Sequence, residues 1–305
     1  MNLFLYVATV VIWGSTWIAI HWQLGSVDAI VSIFYRFGIA AVFFLPLLKF
    51  FGYLQVTQRR DHVFFVMQGA CLFSFNYLFM YQAGHYIITG LMSVIFALVA
   101  LFNAFNQWLI WRKKPSGTIY LASVLGLVGL VFLFWQELQV SHNVEDVLIG
   151  IAFAMAGTYV FSLGNMVSVR NSQQGIKPWT SNAYGMIYGA LILFIGMQLF
   201  QVPFQWDDSP YYTASLIFLA IPGSIIAFTM YLVLISRIGA SQAAYTGVLF
   251  PVVALTFSTF IEGYHWDIYA IIGLALVMLG VIVSSRGEKV FLWIKKRALI
   301  SSLTR

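Results

Sequence analysis

Long apolar runs, interrupted at regular intervals by short clusters of charge, Gly, Pro and Asn, dominate this chain of 305 residues. An α-helix needs roughly 20 apolar residues to cross the hydrocarbon core of a bilayer, and each run is close to that length. The interruptions place spans at 3–21, 29–48, 62–82, 86–111, 117–136, 147–168, 179–201, 211–235, 241–261 and 267–285. The pattern predicts an all-α membrane protein of ten transmembrane helices, joined by connections too short to hold a soluble domain.

Composition agrees, with 61% hydrophobic and 9% charged residues where a soluble domain carries roughly a quarter charged. Function must therefore lie between helices. The net charge of +6 would suit nucleic acid if it were gathered in one patch, but it is distributed by loop. Lys49, Arg59, Arg60, Arg112, Lys113, Lys114, Arg170, Lys177 and Arg237 fall in alternate connections, and Arg286, Lys289, Lys295, Lys296, Arg297 and Arg305 follow the last span. Fifteen of the sixteen basic residues thus share one side, which by the positive-inside rule makes both termini cytoplasmic. The expected partners are the lipid bilayer and a small-molecule substrate, with no nucleic acid, in a monomer or homodimer.

The remaining connections carry Asp28, Glu137, Glu145, Asp146, Asp207, Asp208 and Asp267, and Trp206, Tyr211, Tyr212, Tyr264, Trp266 and Tyr269 read as an interfacial aromatic belt. One cysteine, Cys71, excludes an intramolecular disulfide and a thiolate metal site, so no metal and no cofactor are expected. The N-terminus lacks a basic n-region and a small-residue cleavage site and is expected to be a retained first span. Residues 287–305 mix Phe291, Leu292, Trp293 and Ile294 with basic residues, the pattern of an amphipathic cytoplasmic tail lying on an anionic leaflet.

An internal repeat divides the chain. LMSVIFALVALF from Leu91 aligns without gaps on YTGVLFPVVALT from Tyr245, and each is followed by a glycine-bearing final span, LASVLGLVGLVFL from Leu121 and IIGLALVMLGVIV from Ile271. The expected units are a first five-helix repeat at 1–145 and a second at 146–286. Five spans is an odd number, so the second copy enters the membrane from the opposite side and the repeat is inverted, a construction that suits alternating access to a midplane site.

The IWGSTW segment at Ile12 to Trp17, Arg36 in the second span, LFPVVAL at Leu249 to Leu255, Glu262 after the ninth span and the glycine-bearing last span together resemble the EamA family of the drug/metabolite transporter superfamily. The resemblance covers essentially the whole chain. It implies a central cavity open alternately to either side, with export or uptake of metabolites such as amino acids across the inner (plasma) membrane. Ala97 stands where the second half has Pro251, a position where the family often has proline in both halves, so the first-half helix is expected to be the less kinked of the two.

Arg36 is the only basic residue clearly inside a span, where it costs roughly 2.5–3.5 kcal/mol unless partnered. It reads either as the partner of a substrate carboxylate or phosphate, or as a snorkelling residue near one interface. In the fourth span Ser93, Asn103, Asn106 and Gln107 share one helical sector, with Ala100 between them. The sixth span offers Tyr159, Ser162 and Asn165 beside Thr158, and the third offers Asn76 and Tyr81 beside Gln68 and Tyr77. Such residues line a pathway or serve as interhelical glue worth about 0.6 kcal/mol each.

Trp13, Trp17, Tyr231 and Tyr245, with Tyr184 and Tyr188, are candidates for an aromatic wall that stacks on a planar or cationic substrate. Glu262 is the candidate coupling group, with a plain interfacial carboxylate as the alternative. No enzyme is expected, because ionisable or nucleophilic residues are absent at depth and the histidines fall at span ends or in loops. An intramembrane enzyme and a non-transport scaffold are the alternatives. A mostly neutral, aromatic cavity with one arginine suits amino acids and related amphiphiles better than polyanions.

Overall fold

The computed structural model describes residues 2–25, 27–112, 117–135, 143–238 and 246–283, and every regular element among them is a helix. We number these α1 (Asn2–His21), α2 (Ala29–Phe50), α3 (Arg59–Ala83), α4 (Thr89–Trp111), α5 (Gly117–Leu133), α6 (Val144–Gln173), α7 (Pro178–Leu199), α8 (210–238), α9 (Thr246–Ile261) and α10 (Ile268–Val283). Seven of them, α1 to α4 and α6 to α8, are long and apolar enough to cross a membrane, while α5, α9 and α10 are shorter apolar helices. Tyr245 and the amphipathic tail lie outside the described residues.

Local chemistry explains the helix ends. The Asp28 side chain accepts the N–H of Ile30 at 3.0 Å to open α2, and Asn143 accepts that of Glu145 to open α6. Prolines 178 and 210 occupy first-turn positions, where their missing N–H is harmless. Arg112, at φ 56°, turns the chain left-handed and stops α4. At 30 residues α6 outruns the 22-residue span expected. Its polar end remains helical because Arg170 stacks on Phe64, at 3.5 Å from the ring centroid, and pairs with Asp61 at 3.6 Å, while Asn171 donates to Gln68.

Three helices depart from regular α geometry. A π-helical turn interrupts α3 at Cys71–Phe75, and another interrupts α8 at Leu219–Ile226, around Pro222. The fourth helix breaks at Leu98 into Thr89–Ala97 and Val99–Trp111. That break overturns the expectation about Ala97: α9, with Pro251 inside it, runs unbroken from Thr246 to Ile261, and the proline-free α4 is the interrupted one. The cause is tertiary. The Leu98 N–H falls back onto the Ile95 carbonyl in a tighter turn, and its side chain fills the space over Gly126 of α5.

Packing repeats when five is added to each helix number. α1 lies on α9 as α6 lies on α4; α3 lies on α6 as α8 lies on α1; α3 lies on α7 as α8 lies on α2. Two contacts map onto themselves, α2 with α7 and α5 with α10. The latter is a backbone seam: a Cβ on Gly129 would sit 2.7 Å from the Gly273 carbonyl oxygen, and one on Gly273 would sit 2.6 Å from that of Gly129. Small residues permit this approach, and lipid offers no competing hydrophobic drive. Replacing Gly129 or Gly273 with Val is expected to lower the melting temperature in detergent and the folded yield, by an overpacking cost of about 1–3 kcal/mol, measured by scanning fluorimetry and size-exclusion profile.

Candidate functional site

A cavity of about 220 Å³ lies between the two sets of helices. From the first set come Trp13, Trp17 and Ile20 of α1, Arg36 of α2, Asn76, Tyr77 and Met80 of α3, and Phe96, Ala97, Val99, Ala100 and Asn103 of α4; from the second come Phe161 and Asn165 of α6, Phe228 and Tyr231 of α8, Phe250 of α9 and Val281 of α10. Arg36 is the single charged residue in this lining.

The irregular turns build the site. In α8 the π-turn carries the Gly223 carbonyl, which accepts the Trp13 indole N–H at 3.0 Å, and the Ser224 hydroxyl, whose oxygen faces Arg36 Nε at 3.4 Å. In α3 the π-turn ends immediately before Asn76 and Tyr77 and turns both toward the cavity.

Arg36 is 2% exposed, which excludes the snorkelling alternative. Its Nε faces Ser224 Oγ at 3.4 Å, its Nη2 donates to the Tyr77 hydroxyl at 3.2 Å, and the guanidinium lies 4.4 Å from the Tyr77 ring centroid. Nη1 is buried without a hydrogen-bond partner, as is Asn76 Oδ1. Partners that are neutral leave the positive charge uncompensated by any acid at this point. A buried cation held this way favours an anionic guest.

Trp13 anchors an aromatic wall, with Phe228, Tyr231 and Phe250 at ring-centroid distances of 5.0, 5.0 and 5.4 Å. Trp17 meets Phe96 at 5.5 Å, and Phe96 meets Phe161 at 4.7 Å. Asn103 and Asn165 line the cavity and bond to each other at 3.3 Å. Ser162 lies behind them, donating to Asn103 at 2.8 Å and accepting from Asn106 at 2.9 Å.

Other candidates fall elsewhere. Ser93 turns back onto the Gly90 carbonyl, because the break at Leu98 rotates it out of register with Asn103. Gln107 is outside the lining, and Tyr159 packs edge-on against Phe102. Tyr81 is fully buried, with its hydroxyl beside Arg36 and Tyr77, and also borders a second, more polar cavity with Gln23, Asp28, Gln82 and His85. Tyr184 and Tyr188 pack on His62 between α3 and α7, and Gln68 bonds to Asn182 at 2.7 Å, so these act as glue. Tyr212, expected at the interface, is buried and shares a hydrogen bond with Ser32. Sequence reasoning missed Ser224, Phe228 and Phe250; the Pro222-Gly223 pair inside a span was the available signal for the first.

Glu262 is no plain interfacial carboxylate. Its side chain is 4% exposed and accepts from the Thr89 N–H at 3.0 Å, the Thr89 hydroxyl at 2.8 Å and the Ser258 hydroxyl, with His21 Nδ1 at 3.2 Å. Burial opposes its ionisation, but the bonds from His21, Ser258 and Thr89 outweigh it and hold the carboxyl below its ordinary value.

Apolar helices in two sets of matching packing, meeting around an aromatic cavity that holds a buried cation among the described residues, are the architecture of a polytopic membrane transporter. The profile of the EamA-like transporter family matches residues 1–135 and again 148–286. The chain belongs to this family of transporters, whose members are carriers rather than enzymes. It is 24% identical over 276 residues to the uncharacterized transporter YyaM of Bacillus subtilis, covering 89% of each chain. It is 22% identical over 283 residues to YoaV of the same organism, covering 92% and 94%, and 20% identical over 275 residues to the protein PagO of Salmonella typhimurium, covering 89% and 88%. A crystal structure shares the fold at a TM-score of 0.67 and 15% identity, covering 93% of this chain and 96% of that one.

Because the Glu262 carboxyl is depressed in the folded protein, its stabilisation is complete above its unfolded value and is lost as pH falls through the folded one. Wild type should therefore be more stable than Glu262→Gln at pH 7, with the gap in melting temperature closing as the pH drops below about 4. Scanning fluorimetry across pH checks this.

Proposed function

We propose that this transporter moves a small organic metabolite, an amino acid or a related carboxylate-bearing amphiphile, across the inner (plasma) membrane by alternating access. One observation carries the reading: Arg36, the one charged residue in the lining among the described residues, is buried in a mostly apolar and aromatic cavity at the junction of the two helix sets. In this scheme the guanidinium takes the substrate's carboxylate. Asn76, Asn103 and Asn165 supply neutral polar contacts, and the Trp13, Trp17 and Tyr231 walls stack on its organic part. Tyr245 joins them as a candidate from the sequence alone.

The two repeats, 1–145 and 146–286, are inverted in this scheme, with both termini cytoplasmic and residues 287–305 on the inner leaflet. The packing of the helices in pairs related by five supports it, because such pairs give the two ends of the pathway near-equivalent surroundings. Polyanions fit poorly, since one guanidinium cannot balance several buried negative charges. Coupling through Glu262 would require the carboxylate to exchange its donors for water during the cycle.

Purified protein in proteoliposomes should show saturable uptake and counterflow of labelled amino acids or aromatic carboxylates. Arg36→Ala should reduce that flux at least about tenfold, the equivalent of one lost charged contact of about 1.4 kcal/mol or more, and Asn103→Ala should reduce it less, both with normal insertion. Unaltered flux in both variants would place the pathway elsewhere. Thermal-shift screening against metabolites would identify the substrate, since a ligand that prefers the folded state raises its apparent stability.

A further inference from the structure

One end of the pathway is closed by a compact cluster of polar bonds. At the end where α1 finishes, α4 starts and α9 finishes, one carboxylate gathers donors from all three helices: His21 from α1, the Thr89 N–H and hydroxyl from α4, and Ser258 from its own α9. Gly90 makes the approach possible, because a Cβ there would meet Ser258 Oγ at 2.6 Å. All three helices line the cavity, yet the lining on α9 reaches only Phe250, about 18 Å along the helix from Glu262. On α1 the lining runs up to Ile20, next to His21, and on α9 and α10 it takes in Thr246, Gly247 and Val281, so the carboxylate cluster caps the cavity at the His21 end.

The repeat register that aligns Leu91 with Tyr245 puts Trp108, an exposed residue, where the second half has Glu262. The carboxylate therefore has no repeat-related counterpart. The break at Leu98 separates two differently anchored parts of α4. Its first segment, Thr89–Ala97, packs on α9, and also on α1 and α6, and carries the Thr89 bonds; its second, Val99–Trp111, packs chiefly on α6 and is tied there by side-chain bonds through Asn103 and Asn106.

We propose that Glu262, gripped by His21, Thr89 and Ser258, is the lock that holds this end of the pathway shut, and that opening the cavity to this side requires the first segment of α4 to release the carboxylate by swinging about Leu98. The lock rests on the alternating-access reading, and the positive-inside orientation makes its side the external one. His21 is the titratable group that meets Glu262 among the described residues; Thr89 and Ser258 bring neutral donors. A carboxylate saturated with donors in this conformation binds it differentially over any conformation in which water must replace them, which is what a conformational lock requires.

The test is a cysteine reporter at Ala97, which lines the cavity beyond the lock, in a Cys71→Ala background. Cells or oriented proteoliposomes carrying Ala97→Cys are exposed to a membrane-impermeant maleimide from the external side. With the lock intact labelling is slow; with Glu262→Ala or Glu262→Gln it should accelerate about tenfold or more, the change expected when at least about 1.4 kcal/mol of differential stabilisation is lost. His21→Gln and Thr89→Val, which each remove part of the grip, should give smaller increases and decide the matter if Glu262→Ala does not fold. Labelling within twofold of the parent in every folded variant would overturn the lock. Counterflow in the parent, measured in the same vesicles, separates the two readings: flux with unchanged labelling removes the lock alone, and absence of flux for the whole substrate panel removes the proposed transport on which it stands.

Discussion

Within a bilayer a polar group must find its partner inside the protein, because lipid supplies none. The architecture follows from that constraint at every irregular point. The π-turn of α8 carries the Gly223 carbonyl, and the Trp13 indole meets it. Arg36 is buried among helices and is met by Ser224, by Tyr77 and by a ring face, while one nitrogen is left over. Departures from regular helix are concentrated on the helices that line the cavity, where backbone groups have protein or solute rather than lipid as neighbours.

The two helix sets agree in packing and differ in chemistry. Contacts map onto each other through the same shift of five helices, yet the cation is in α2 and the carboxylate follows α9. A repeated scaffold gives the two sets matching packing, and the residues without a repeat-related counterpart make them chemically distinct. Arg36 and Glu262 act at separate levels along the pathway, and they do not neutralise one another: the first is surrounded by hydroxyls and rings, the second by His21, Thr89 and Ser258.

The helices were legible because membrane thickness imposes their length, and the expected boundaries of α2 and α7 fall within about two residues of those found. Arg36 was legible because a single intramembrane charge stands out against apolar surroundings. The polar sector of α4 was misjudged for a physical reason: placing Ser93 with Asn103 presumes a continuous helix, and the break comes from Leu98 packing on Gly126 of another helix, with no breaker residue to announce it. Conversely Pro251 lies inside a helix that runs from Thr246 to Ile261 without interruption. The burial of Glu262 was equally hidden, since its partners His21 and Thr89 belong to the other half of the chain.

The backbone seam between α5 and α10 has an evolutionary corollary. Gly129 and Gly273 each occupy the space that the other's side chain would need, so neither can enlarge alone. After a duplication, two copies of one gene segment usually drift apart, but these positions are bound by mutual exclusion across a self-facing contact. Among descendants of this chain they should be inherited as a pair, and the seam should remain the most faithful record of the shared ancestry of the two halves long after the residues around the cavity have diverged.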